Sequence, residues 1–284
     1  MREFLIYRLG QFLAMALPLK AAYFVAAFFA RLQYALSRKD RLIVYGNLRA
    51  IFPDEEEKEI ARLAKEVFVN FAKYLADFFR FEKVDKRFLA EKVKVMGREN
   101  LDGALKMGKG VIALSAHIGN YELGGAVISL LGYRLNVVAL DHDNKLINDF
   151  FIGQRARTGV QVISVKSVLR NCFEALKKGE VLALLGDRDF SKHGIITGFF
   201  GKKTLIPKGP AAFSVKTGAP IVPGFLFRMP DDTFELRFDK PISYRATGDR
   251  EADEKEVTGL CVKVIEDYIR RYPSQWYMFR RFWL

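Results

Sequence analysis

Three histidines occur among 284 residues, and one of them, His117, stands where an apolar run gives out: VIALSAHIGNYELGG, residues 111–125. Glu122 follows five positions later. Five residues of α-helix turn through about 500°, leaving two such side chains roughly 140° apart, so they cannot share one helical face. They meet only if His117 lies on the loop leaving a strand and Glu122 lies in the first turn of the next helix. Gly119 and Asn120 suit that path, since glycine permits a tight bend and asparagine caps helices. A carboxylate near the positive end of the helix dipole stays ionised. Hydrogen-bonded to one imidazole nitrogen, it fixes the tautomer and leaves the other free to take a proton from a hydroxyl. The chemistry expected is a general base, His117, oriented by Glu122. The dyad lacks a serine, so the substrate's own alcohol is the nucleophile. The same spacing also fits a strand-end histidine that only caps a helix.

The elements that must position this pair follow from periodicity. After Phe52-Pro53, Asp54 is a candidate N-cap followed by Glu55, Glu56 and Glu57, acids that favour the first turn of a helix. Ile60, Leu63, Ala64, Val67, Phe68, Phe71, Leu75, Phe78 and Phe79 then recur at three and four, predicting an amphipathic helix that covers a sheet. From Val93 onward, the runs VKVMG, GVIALSA, LNVVAL, VQVIS, EVLALLG, PIVPGFLF and FELRF read as strands. They alternate with helical patterns near 99–107, 120–131, 144–157, 166–178 and 208–217, and a last helix runs from about Asp253 to Arg271 until Pro273 stops it. Such alternation predicts an α/β fold, a mixed, largely parallel sheet flanked by helices, with the last strand pair antiparallel. The simplest partition is an N-terminal helical extension, residues 1–40, and one α/β domain, residues 41–284.

Composition narrows the chemistry. Lysine and arginine outnumber aspartate and glutamate 46 to 33, a net charge of +13, which favours polyanionic partners. No zinc-finger spacing, RNA-binding aromatic signature or basic heptad helix is present, so nucleic acid is not expected. Cys172 and Cys261 show no C-x-x-C spacing and read as buried, reduced thiols rather than a disulfide or metal site. Gly103 to Lys109 approaches a phosphate loop, but Gly110 replaces the magnesium-binding hydroxyl and the segment leaves a helix for a strand, the reverse of the required context. No G-x-S-x-G elbow exists. The most apolar stretch, residues 4–36, is interrupted by Arg8, Pro18, Lys20 and Arg31, whereas a spanning helix needs ~20 apolar residues. A pair of short helices broken at Pro18 and lying in the membrane interface is predicted, with the basic side chains reaching lipid phosphates; an ordinary buried helical hairpin is the alternative.

The segment HIGNYELGG resembles the H-x4-[DE] block of the lysophospholipid acyltransferase superfamily, and its Gly-Asn-aromatic-Glu form resembles the lipid A biosynthesis acyltransferases, the lauroyl and myristoyl transferases of Gram-negative bacteria. Further blocks agree in order: Asn47 to Pro53, Arg155 to Gly159, Gly186-Asp-Arg-Asp189, Phe199-Phe-Gly201, Lys208 to Ala212, Gly218 to Pro223, and Pro273 to Tyr277 before Arg280-Arg281. The resemblance spans residues about 40–283. It implies a membrane-associated O-acyltransferase in which His117 and Glu122 activate a hydroxyl of a lipid A precursor or related glycolipid. That hydroxyl attacks the thioester of an acyl carrier protein or coenzyme A, with no other cofactor and no metal. Asn120, Arg155, Asp187, Arg188, Asp189, Phe199, Phe200 and Gly201 would then contact substrate: the arginines would meet phosphates or the oxyanion, and the phenylalanines would line the acyl groove. Arg280 and Arg281, beside Trp276, Tyr277, Phe282 and Trp283, resemble a headgroup-level anchor. The implied location is the cytoplasmic face of the inner membrane, on an anionic surface, held peripherally or by one N-terminal anchor. Tyr121 stands where tryptophan is common, and Gly186-Asp-Arg-Asp189 departs from the Asp-Gln form of the lipid A enzymes, so a mannoside lipid is an open acceptor. A noncatalytic membrane or carrier-binding protein and a thioesterase are the competing readings.

Overall fold

The computed structural model describes residues 1–164, 167–190 and 193–284. Chain order gives α1 (Arg2–Ala16), α2 (Leu19–Leu36), α3 (Arg38–Ile51), α4 (Glu57–Phe79), α5 (Lys86–Lys92), β1 (Val93–Met96), α6 (Arg98–Leu105), β2 (Val111–Ser115), α7 (Tyr121–Leu130) and β3 (Leu135–Ala139). There follow α8 (Lys145–Ala156), β4 (Gln161–Ser164), α9 (Val168–Lys177), β5 (Val181–Leu185), β6 (Ile195–Phe199), β7 (Lys202–Ile206), α10 (Gly209–Thr217), β8 (Ile221–Arg228), β9 (Phe234–Phe238) and α11 (Arg250–Arg271). Residue 166, where the helix carrying Cys172 was expected to begin, lies outside the described residues.

The main sheet has seven strands in the order β1-β9-β8-β2-β5-β3-β4. Every neighbouring pair is parallel except β8 and β9, which are antiparallel. Because side chains alternate across a strand, β2 feeds both faces. Ile112 and Leu114 join the layer that α10 and α11 close with Val257, Cys261 and Ile265. Val111 and Ala113 join the layer of Leu123, Ala126 and Val127 from α7. Both thiols are buried and unpaired, and burial pushes each up to about 12. The hairpin β6–β7 forms a separate two-stranded sheet that the sequence reading did not assign.

Helix α4 corrects one expectation. It is capped at Glu56, not Asp54, and most of its buried face packs with α2 and α3, in a cluster of Ala30, Val44, Leu48, Ile60, Ala64, Val67 and Phe68. Only its C-terminal end, Phe78 and Phe79, reaches the layer under the sheet. The reason is that α2 and α3, the latter a helix assigned to no element beforehand, supply the apolar surface α4 covers. Pro18 does separate α1 from α2, and Arg80 donates to the Ala14 and Leu17 carbonyls at the break. Among the described residues no helix is long and apolar enough to cross a membrane.

Candidate active site

The site forms at the carboxyl ends of two adjacent parallel strands, where α/β sheets place their ligands. In the β2–β5 register Ser115 lies opposite Leu185. Two residues beyond the end of each strand stand His117 and Asp187. The Asp187 side chain is fully buried, and its Oδ1 lies 2.7 Å from His117 Nδ1. Its Oδ2 accepts the His117 backbone N–H at 3.1 Å and the Trp276 indole N–H at 3.2 Å. Burial pushes the Asp187 carboxyl up, but the His117 charge and hydrogen bonds, with Trp276, outweigh it and hold the group below the usual aspartate range. A carboxylate on Nδ1 puts the proton there and leaves Nε2 as the accepting nitrogen.

The loop that carries His117 is pinned along its length. The His117 carbonyl accepts the Tyr277 N–H at 2.8 Å, the Gly119 N–H donates to the Gln275 carbonyl at 2.9 Å, and the Asn120 N–H donates to the Leu226 carbonyl at 2.7 Å. Gly119 has φ +65°, and a Cβ there would sit 2.1 Å from the Leu226 carbonyl oxygen. Gly119→Ala therefore forces both a left-handed alanine and a backbone shift, and is expected to cost more than about 2 kcal/mol. A urea-denaturation midpoint unchanged from wild type would contradict this account of the bend.

Several expectations need correcting. Glu122 sits in the first turn of α7 as the spacing required, but it does not hydrogen-bond His117. Arg155, from α8, grips it with two bonds of 2.9 and 2.5 Å, both side chains being 13% exposed. A carboxylate held bidentately by a guanidinium has its geometry fixed by that partner, and Asp187 occupies the imidazole instead. Arg155 is accordingly spent on Glu122 rather than exposed to a phosphate. Asn120, expected among substrate contacts, is 1% exposed: its Oδ1 caps α7 by accepting the Leu123 N–H and its Nδ2 donates to Asp77. Phe199, expected in the acyl groove, is fully buried and stacks on Trp276, while Phe200 packs on Trp283 and Gly201 turns the β6–β7 hairpin at φ +74°. Trp276, Tyr277 and Phe282 are buried rather than placed at headgroup level, because two of them serve the histidine loop and the third packs on Phe199. Sequence reasoning missed the role of Trp276, and no local signal marks it.

Around the imidazole, the Tyr121 ring centroid lies 5.3 Å away and that of Phe190 6.4 Å away. The Arg188 guanidinium stands 4.9 Å over Phe190, with Arg280 at 5.4 Å. Arg188 is half-buried, and its Nε is buried with no hydrogen-bond partner among the described residues. The Asp189 carbonyl faces Arg280 at 3.4 Å. Among the described residues no three His, Cys, Asp or Glu side chains gather as metal ligands would.

The family model for bacterial lipid A biosynthesis acyltransferases matches residues 2–284, so the likeness includes the N-terminal helices as well as the blocks after residue 40. The chain is 27% identical over 221 residues to the phosphatidylinositol mannoside acyltransferase of Mycobacterium tuberculosis (strain ATCC 25618 / H37Rv), covering 76% of this chain and 68% of that one. It is 25% identical over 251 residues to the protein of the same name from Mycolicibacterium smegmatis, covering 87% and 78%. Identity to the lipid A biosynthesis palmitoleoyltransferase of Escherichia coli (strain K12) is 27% over 248 residues, covering 84% and 78%.

Proposed function

As the chain belongs to the bacterial lipid A biosynthesis acyltransferase family, we propose that it moves a fatty acyl chain from an acyl thioester to a hydroxyl of a glycolipid, with His117 Nε2 as general base. The observation that carries this reading is the His117 imidazole held by the buried Asp187 at 2.7 Å. The acceptor hydroxyl gives its proton to Nε2 as its oxygen attacks the thioester carbonyl, and Asp187 stabilises the imidazolium that forms. The tetrahedral intermediate then collapses, the carbon–sulfur bond breaks, and the departing thiolate takes the proton back from His117. Arg188, half-buried and 4.9 Å over the Phe190 ring, supplies positive charge to the oxyanion or to a substrate phosphate. Glu122 acts through Arg155 by fixing the wall around Tyr121. A lipid A precursor and a mannoside lipid both offer the required hydroxyl. The +13 net charge suits an acidic acyl carrier protein or phosphorylated coenzyme A as donor.

Association with an anionic membrane is part of the proposal. Leu5, Ile6, Leu9, Phe12, Phe24 and Phe28 on α1 and α2 are more than half exposed, with Arg8, Lys20 and Arg31 exposed among them. That mixture favours an interfacial position with arginine and lysine at the phosphates.

The test is product analysis. Purified protein with radiolabelled acyl thioester and glycolipid on anionic vesicles is expected to yield acylated lipid and free thiol in equal amounts. Free fatty acid without acylated lipid would make it a thioesterase, and no thioester consumption with any acceptor would make it a binding protein.

A further inference from the structure

Behind the histidine loop lies a buried polar group that the chemistry above does not use. Asp77, near the end of α4, is 4% exposed. Its Oδ1 accepts the hydroxyl of Tyr23 from α2. Its Oδ2 accepts Asn120 Nδ2 at 2.7 Å and the guanidinium of Arg228 from β8. The charges alternate outward, Arg228 reaching Asp232 at 3.1 Å and Lys73 reaching the same oxygen at 2.7 Å. The Tyr23 ring lies beside both cations, 4.5 Å from the Arg228 guanidinium and 5.3 Å from Lys73 Nζ. Gln275 closes the set by accepting the Arg228 N–H at 3.0 Å and donating to its carbonyl at 2.9 Å. The Gln275 carbonyl in turn holds Gly119. Three segments distant in sequence, carrying Asp77, Leu226 and Gln275, therefore hold Gly119 and Asn120, and α2 joins them through Asp77.

We infer that Asp77 is a positioning residue for the His117 loop, and that the Tyr23 hydroxyl makes the seating of α2 against α4 a condition of that position. The inference rests on the reading of His117 as the base. A buried carboxylate requires its donors, and Asp77 takes them from the loop and from α2 at once, so the loop cannot keep its place at full satisfaction while α2 is displaced. Burial and the adjacent carboxylate push the Tyr23 hydroxyl above its ordinary range, so it remains a donor. The helix that supplies it carries Phe24, Phe28 and Phe29 more than half exposed on its outer side, so the anionic membrane proposed above for this face also steadies the His117 loop.

Asp77→Asn leaves Arg228 without its charge partner, and such a variant can fail to fold. Two milder changes carry the test. Tyr23→Phe keeps the ring beside its cations and removes only the hydroxyl. Asn120→Ser keeps a capping oxygen for α7 but is too short to reach Asp77. Each is expected to lower kcat per folded molecule about tenfold while leaving KM for the acyl thioester within about twofold, the pattern of a misplaced reacting group. Hydrogen exchange at the Gly119 and Asn120 amides, followed without substrate, is expected to quicken in both variants and also when each is combined with His117→Ala. Unchanged exchange in both variants overturns the inference whatever the activity does. So does quickened exchange with kcat per folded molecule within twofold of wild type. Wild-type protein that transfers no acyl chain at all overturns instead the reading of His117, and the inference falls with it.

Discussion

His117→Ala lowers acyl transfer by about 10³ to 10⁴-fold, while the protein still folds and still recovers with anionic vesicles. The size follows from what the imidazole does. A general base in hydrogen-bond reach contributes about 10²–10⁴ in rate, and more where it also returns the proton to the leaving group. Folding survives because the anchors of the loop are backbone groups: the residue 117 carbonyl still receives the Tyr277 N–H, and its N–H still donates to Asp187. What alanine removes is one donor to a fully buried carboxylate, a cost of about 1–3 kcal/mol, visible as a modest fall in Tm. The measurement is acyl transfer at saturating donor and acceptor beside a thermal melt. Turnover within tenfold of wild type in a folded variant would take the base away from His117. Loss of vesicle binding would mean that the substitution had disturbed the surface rather than the chemistry.

Local patterns reached far into this fold. Each strand run from VKVMG to FELRF becomes a strand, because β-branched and leucine-rich runs of four to eight residues between turn signals have few other places to go. The strand-exit loop at His117, the bend at Gly119 and the cap at Asn120 were legible for the same reason: each is a property of neighbours in sequence. Whatever depended on strand order was not. Strands β3 and β4 come between β2 and β5 in sequence, yet β5 lies beside β2, and only that adjacency brings Asp187 to His117. Asp187 was therefore expected to contact substrate, whereas the strand order sets it against the imidazole. Glu122, the nearest acid in sequence, was expected there and is held by Arg155 instead. Hydrophobic periodicity likewise found the buried stripe of α4 and misjudged its partner, since a stripe states that something covers it and not what.

The comparison of Asp187→Asn with Glu122→Gln decides which carboxylate orients the base. Asparagine keeps the shape at 187 but removes the charge facing the imidazole. An amide opposite Nδ1 also allows the wrong tautomer, a change that in the serine-protease triad costs about 10⁴ in kcat. Asp187→Asn is therefore expected to lower kcat by about 10³ to 10⁴-fold with KM little changed. Asp187 is held below the ordinary aspartate range, so it stays ionised through the acid range where ordinary carboxylates titrate. The same depression gives the stability a direction: Asp187 contributes fully above the unfolded aspartate value of about 3.9, and that contribution is lost as pH falls through its lower folded value. Glu122→Gln acts elsewhere. It leaves the Arg155 guanidinium in its buried site with a neutral partner, expected to cost about 2–3 kcal/mol of stability, while the Nδ1 contact of His117 is untouched. Its signature is a lower Tm with kcat per folded molecule reduced less than about tenfold. If the two variants exchange these signatures, Glu122 orients the histidine after all, and the 2.7 Å contact with Asp187 is architectural.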